Sequence, residues 1–300
     1  MSKILMIFVD GVGIGKKDPE SNIFFKRKFN FLEKIFGSTP HLEHQFISKE
    51  NKYIFPVDAT LGVDDLPQSG TGQTSIFCGF NAPQRLGFHF GPYPYSTLVP
   101  LIEKENIFKE FKEKGKKVSF ANAYPKVFFD YIDSGKRRLS VTSLSCLLSD
   151  VRLNRVDDLR AGKALSAEID NSRWVKKLDY DLPIISPDLA AKRLINLALE
   201  NDFTLFEYFY TDHIGHSRIK DIADYLLNVF DDFMTYILTH LPEDLTLLIC
   251  SDHGNIEDTS IKMHTTNPTL TISAGKHAKE LSEKIKDISQ IKRALLDITN

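Results

Sequence analysis

Three aspartates in this chain stand directly behind apolar runs, and two of them have histidines within a helical turn. Asp10 closes KILMIFV (Lys3 to Val9), Asp212 follows TLFEYFY (Thr204 to Tyr210) after one threonine, and Asp252 follows LTLLIC (Leu245 to Cys250) after one serine. His253 adjoins Asp252, and His216 lies four residues beyond Asp212. A single Asp-His-Gly after a strand is ordinary turn composition as much as a site. Its repetition tips the balance. Uninterrupted apolar runs read as strands buried on both faces, and open α/β sheets present ligand-binding groups at the carboxyl ends of such strands. Three carboxylates at one sheet edge repel one another, and a bound cation is the simplest way to hold them together. A helical turn at the strand end would put Asp212 and His216 on one face; with His264 they make a set suited to zinc or manganese. Asp10, Asp252 and His253 make a second set. Two neighbouring divalent ions clamp the attacking and leaving oxygens of a phosphoryl displacement, and a hydroxyl between them is the expected nucleophile.

Positioning these groups requires strands that alternate with helices. Tyr53 to Ala59 reads as a strand whose Pro56 favours a sheet edge or a strand end, and Lys117 to Asn122 and Thr269 to Ala274 read as further strands. Helical spacing marks Phe29 to Phe36, Leu98 to Lys114, Pro187 to Leu199, Ile219 to His240 and Ile288 to Leu296. The alternation predicts an α/β protein with a largely parallel sheet. Leu66 to Gly79 (LPQSGTGQTSIFCG) reads as a loop feeding a helix from Ser75, whose N-terminus favours an anion; a plain flexible turn is the alternative. Residues 128–186 have mixed polarity, the lone Trp174 and the basic cluster Lys136, Arg137 and Arg138. This stretch reads as an excursion from the core, a small lid, whose basic cluster is either a solvated face or a hold on an anionic substrate.

Composition narrows the class. A chain of 300 residues with 42 % hydrophobic content supports one sizeable core, so residues 1–300 are expected to form a single domain. The 38 Lys and Arg against 40 Asp and Glu leave a formal charge of −2, and no global field recommends nucleic acid or an anionic membrane as a partner. No run is long enough to cross a bilayer, and the first apolar run, ended by Asp10, reads as a strand and not as a signal peptide. Cys78, Cys146 and Cys250 are widely spaced in apolar surroundings, as buried, reduced thiols would be, which predicts a cytoplasmic location.

Taken together, FVDGVGIG near the start, Ser69 in a glycine-rich loop with Gly79 ten residues on, Asp212 and His216, SDHGN, and HTTNP at 264–268 resemble the alkaline phosphatase superfamily. Within it they resemble the catalytic domains of cofactor-independent phosphoglycerate mutase and phosphopentomutase, and the motifs keep the family order from residue 10 to 268. The resemblance implies a three-layer sandwich with helices on both faces of the sheet. It implies Asp10, Ser69, Asp252 and His253 as ligands of one metal, Asp212, His216 and His264 as ligands of the other, and Ser69 as the residue that is phosphorylated. Thr71 is the fallback nucleophile; His213 and His240 match no family position and read as surface or supporting histidines.

The implied cofactors are two divalent ions, manganese or zinc, and the implied partner is a small phosphorylated substrate. Water would release the phosphate, making a phosphatase or phosphodiesterase; a retained alcohol would take it back, making a phosphosugar mutase. Gln73, where the phosphoglycerate mutase pattern has histidine, and the short excursion lean towards hydrolysis. An inactive metal-binding homologue is the remote alternative, opposed by the presence of all seven ligand positions.

Overall fold

The computed structural model describes residues 3–136 and 138–299, so Arg137 lies outside the described residues. Among the described residues, seven strands form one sheet: β1 (Lys3–Val9), β2 (Ile47–Lys49), β3 (Lys52–Val57), β4 (Val118–Phe120), β5 (Phe203–Tyr208), β6 (Leu245–Cys250) and β7 (Thr269–Gly275), in the order β2-β3-β7-β6-β1-β5-β4. The four neighbours β6, β1, β5 and β4 are parallel. The other three pairings, β6 with β7, β7 with β3 and β3 with β2, are antiparallel, so the expected largely parallel sheet is parallel in the half that bears the three aspartates and mixed beyond it. Pro56 pairs with Leu270 beyond the residues that β2 covers, where its missing N–H breaks no ladder.

Apolar runs without polar alternation demand cover on both faces, and the sheet has it. Along β1, Leu5, Ile7 and Val9 join an apolar cluster with Leu194, Phe230 and Phe233 from the helices Pro187–Leu199 and Ala223–Thr239. Ile4, Met6 and Phe8 point the other way, against Ile76 and Phe77 of the helix Ser69–Cys78 and Val141 and Cys146 of the helix Val141–Leu148. Each such large side chain removed from water contributes about 1.5–3 kcal/mol. The result is an α/β sandwich of helix, sheet and helix.

Several boundaries differ from the sequence reading. The helix after residue 66 begins at Ser69, so the SGTG run is itself helical; burial of all ten residues outweighs glycine's weak helix propensity. The 98–114 segment breaks at Asn106, whose side chain caps the second helix by accepting from Lys109 N at 3.1 Å. Only Asn30–Glu33 is α-helical within 29–36. Within the 128–186 stretch, Leu139, Val141, Leu144, Val151 and Leu153 join the main core, whereas Leu159, Ala164, Trp174 and Leu182 gather in a small cluster of their own. The stretch is thus partly a core layer and partly an appended subcluster.

Candidate metal centre

Strand order creates the site. With β1 between β6 and β5 and all three parallel, the residues after Val9, Cys250 and Tyr208 emerge along one edge, with strands about 4.8 Å apart. Asp10 leaves β1 with its N–H donating to Tyr208 O at 2.9 Å, and Gly11 N reaches Asp252 Oδ1 at 3.4 Å. Gly11 has φ +70°, and a Cβ there would sit 3.0 Å from Asp212 Oδ1, so both backbone angle and space call for glycine. Ser69 opens the helix Ser69–Cys78, and Gly72 lets that helix close on β6: a Cβ at Gly72 would lie 2.9 Å from both Cβ and O of Asp252. This approach brings the Ser69 hydroxyl to 3.0 Å from His253 Nε2.

Donor atoms converge in two groups, Asp10 with Asp252 and His253, and Asp212 with His253 and His264, each within 4.8 Å. His253 Nε2 is 3.3 Å from Asp10 Oδ1 and 3.5 Å from Asp252 Oδ2. Asp212 Oδ1 is 3.2 Å from His216 Nε2 and 3.5 Å from His264 Nε2. The outer ring nitrogens explain the inner ones. His264 Nδ1 lies 2.7 Å from Pro67 O, and His216 Nδ1 lies 2.7 Å from Lys262 O. Carbonyl oxygens only accept, so each Nδ1 carries a proton and, in the neutral ring, each Nε2 presents a lone pair. Those two Nε2 atoms face each other at 3.0 Å beside a carboxylate. Converging lone pairs with no donor between them fit a cation.

The carboxylates agree. Asp10 Oδ1 and Asp252 Oδ2 are buried without a hydrogen-bond partner. Burial, then the charges of Asp252, Asp212 and Glu207, hold the Asp10 carboxyl well above the usual carboxylate range. Burial pushes Asp212 up too, but the neighbouring His264 and His253 rings and the hydrogen bond from the Asn255 amide at 2.7 Å outweigh it, and the group is held below its usual range. Burial lowers His216, which favours the neutral, ligating imidazole.

Comparisons with known proteins meet this geometry at the fold and at the C-terminal part of the chain. Residues 180–299 match the family model described as the Metalloenzyme superfamily. The PH0037 protein from Pyrococcus horikoshii superposes with a TM-score of 0.59 at 14 % identity, covering 100 % of this chain and 97 % of that one. Alkaline phosphatase from the Antarctic bacterium TAB5 gives 0.50 at 13 % identity, covering 99 % and 98 %. The fold is alkaline-phosphatase-like. In sequence, the chain is similar to 2,3-bisphosphoglycerate-independent phosphoglycerate mutases. That of Clostridium botulinum is 27 % identical over 139 residues, 41 % of this chain and 27 % of the mutase; that of Mycoplasmopsis synoviae is 24 % identical over 116 residues, 36 % and 23 %. The chain thus spans about a quarter of the length of these curated relatives.

Several further groups complete this strand edge. Asn255 orients Asp212, and Glu257 clamps the strand ends by accepting from Gly13 N at 2.9 Å, from Asn255 N at 2.7 Å and from Thr265 Oγ1. Glu207 faces the cleft from β5, accepts from Thr142 Oγ1 at 3.2 Å and is pushed up to about 7 by burial. A lone acid in TLFEYFY was its signal. Arg138, His213 and Arg218 line the cleft that reaches Ser69; Arg160 pairs with Asp157 instead, and His240 stacks on Tyr236 at the surface. The Thr71 hydroxyl is engaged with Gln68 O at 3.1 Å and Phe90 N at 3.2 Å, which leaves Ser69 as the hydroxyl beside His253. No helix among the described residues is long and apolar enough to cross a membrane.

Proposed function

We propose that this chain is a metal-dependent phosphoryl-transfer enzyme that acts as a phosphohydrolase on small phosphate esters through a phosphoserine at Ser69. The observation that carries the reading is the convergence of unprotonated imidazole nitrogens and unpartnered carboxylate oxygens around one serine hydroxyl. Asp10, Asp252, His253 and Ser69 would hold one cation, and Asp212, His216 and His264 the other; His253 lies within reach of both groups. When bound, two divalent ions, manganese or zinc, supply Lewis-acid charge to the attacking and leaving oxygens.

The chain's own residues do the rest. Ser69 sits at the first turn of a ten-residue helix, whose dipole favours negative charge on the serine oxygen and on a phosphoryl group beside it. The Ser69 hydroxyl stands 3.0 Å from His253 Nε2, within the first ligand group, where a bound cation would lower its pKa and its proton would pass to solvent. Oγ bonds to phosphorus as the ester P–O bond breaks, and the departing alkoxide takes a proton from solvent. Water then attacks the phosphoserine, freeing phosphate and restoring the hydroxyl.

A second reading, return of the phosphate to the same substrate, is favoured by the likeness to phosphoglycerate mutases. One experiment separates them: free-phosphate release from a panel of phosphomonoesters and diesters, using protein stripped of metal and reloaded with manganese or zinc, with Ser69→Ala as blank. Release that needs both metal and Ser69 is the expected result. Phosphorylated Ser69 by intact mass without release would favour the mutase, and release undiminished in Ser69→Ala would overturn the covalent route.

A further inference from the structure

Among the described residues, a cavity of about 200 Å³ opens beside the cleft that reaches Ser69 and shares Tyr124 and Phe209 with it. The two spaces meet at one wall. Sequence order makes the junction: Phe209 follows β5 directly, and three residues later the same turn delivers Asp212 to its ligand group. The far wall belongs to the appended subcluster. Its short helix Ser172–Leu178 brings Arg173, Trp174 and Lys177 to the cavity, a spacing that keeps them on one side of the helix. Glu168 anchors that helix, its Oε1 accepting from the N–H groups of Arg173 and Trp174 at 3.0 and 3.2 Å. With Oε1 so engaged, Oε2 is the acceptor left to a ligand, on a residue that lines the cavity and is only 2 % exposed.

The lining selects among ligands. Tyr124, Trp174, Phe209 and Tyr210 offer broad apolar surfaces. An organic cation is disfavoured, because Arg173 already lies over the Tyr210 ring, 5.2 Å from its centroid, and Lys177 adds a second positive charge. A second anion would share the space with the buried Glu168 carboxylate. A polyhydroxyl ring needs donors and acceptors on all sides, and here the polar side chains are engaged elsewhere. Asn122 Nδ2 donates to Glu207 O at 2.7 Å, Asn122 Oδ1 accepts from Glu207 N at 2.8 Å, and the Tyr124 hydroxyl pairs with Ser143 Oγ at 2.8 Å. What remains suits a flat ring with apolar faces and an N–H at its edge. We propose that the cavity takes a planar nitrogen heterocycle of nucleobase type, carried on the alcohol half of the phosphate ester and donating to Glu168, an inference that rests on the phosphoryl-transfer reading above.

Trp174 is the lone tryptophan of the chain, so a ring seated against it changes the protein's only indole emission. Titration with guanosine, which has no phosphate and carries an N–H and an NH2 at one edge of its base, therefore reads the cavity apart from the metal centre. Saturable quenching is expected in wild type, with binding weakened on the order of tenfold in Phe209→Leu, which keeps apolar bulk and removes a ring face. In Glu168→Gln the amide oxygen stays on the two N–H groups, so the NH2 takes the Oε2 position and meets a donor with a donor. That variant should bind about tenfold more weakly. Turnover is measured on the full chain reloaded with manganese or zinc. There, kcat/KM for guanosine 5′-monophosphate should exceed that for ribose 5-phosphate about a hundredfold, and Glu168→Gln should shrink the ratio about tenfold. A ratio near one in wild type would overturn the proposal and leave the transfer reading intact. Quenching that is the same in wild type and both variants would also overturn it, since the ring would then sit elsewhere. Glu168-dependent quenching without turnover of any ester would keep the cavity as a ring site and sink the transfer reading. Neither quenching nor turnover would sink both.

Discussion

At the scale of single residues, the site depends on which atoms carry protons. Carbonyl partners on the outer nitrogens of His216 and His264 leave their inner nitrogens as lone-pair donors beside Asp212. Replacing Asp212 and His216 together with alanine is expected to remove about half of the bound metal, measured by elemental analysis after reloading. Full occupancy in that double variant would overturn the assignment of these ligands. Asp10, Asp212 and Asp252 were legible because each stands just beyond an apolar run, whereas Glu207, set inside such a run, was read only as part of a strand. Alternation along β5 turns it towards Thr142 and the cleft, on the same side as Phe203 and Leu205.

At the scale of elements, close approach does what side-chain chemistry cannot. Gly72 allows the Ser69 helix to lie against the end of β6, and Gly72→Ala would drive a methyl group into Asp252 backbone and Cβ at 2.9 Å. Overpacking of this kind costs about 1–3 kcal/mol, so a lower urea midpoint together with reduced turnover is expected. A midpoint equal to wild type would mean that the helix has room to shift.

The appended subcluster around Trp174 gives a second element-scale prediction. Glu168 accepts from the N–H groups of Arg173 and Trp174 at 3.0 and 3.2 Å, and burial pushes its carboxyl from 4.5 to about 6. A raised folded-state value means a stability share that is complete below about 4.5 and lost as pH climbs through about 6. The full loss corresponds to about 2 kcal/mol. Glu168→Gln keeps an acceptor without the charge, so its stability relative to wild type should rise between those two pH values and then level off. Parallel pH profiles of the two melting temperatures would contradict this.

At the scale of the whole molecule, the sheet gathers repulsive charge at one edge while its two faces bury the apolar runs. The metal-free fold therefore carries a cost that a cation relieves. Reloading with manganese or zinc is expected to raise the melting temperature, by about 2.7 kcal/mol of stabilisation when free metal is a hundred times its Kd. Ser69→Ala should retain most of this gain, since two carboxylates and His253 remain around the first position. A melting temperature indifferent to metal and chelator would argue against occupied sites.

Taken by itself, the amino-acid order determined the α/β class, the strand-end positions of three aspartates and the run from Pro187 to Leu199 as a helix, because these depend on local periodicity and on the polar residues that terminate an apolar run. Tertiary structure alone decided the rest. The antiparallel half of the sheet, the early start of the Ser69 helix and the splitting of 128–186 between core and appended cluster arise from packing partners distant in sequence. Arg218 and Asn255 likewise acquire their places only when a turn and a strand edge bring them to Asp212. Spacing along a chain reports local backbone preference; which distant surfaces close on one another depends on buried area and on free space, and these exist only in the folded molecule.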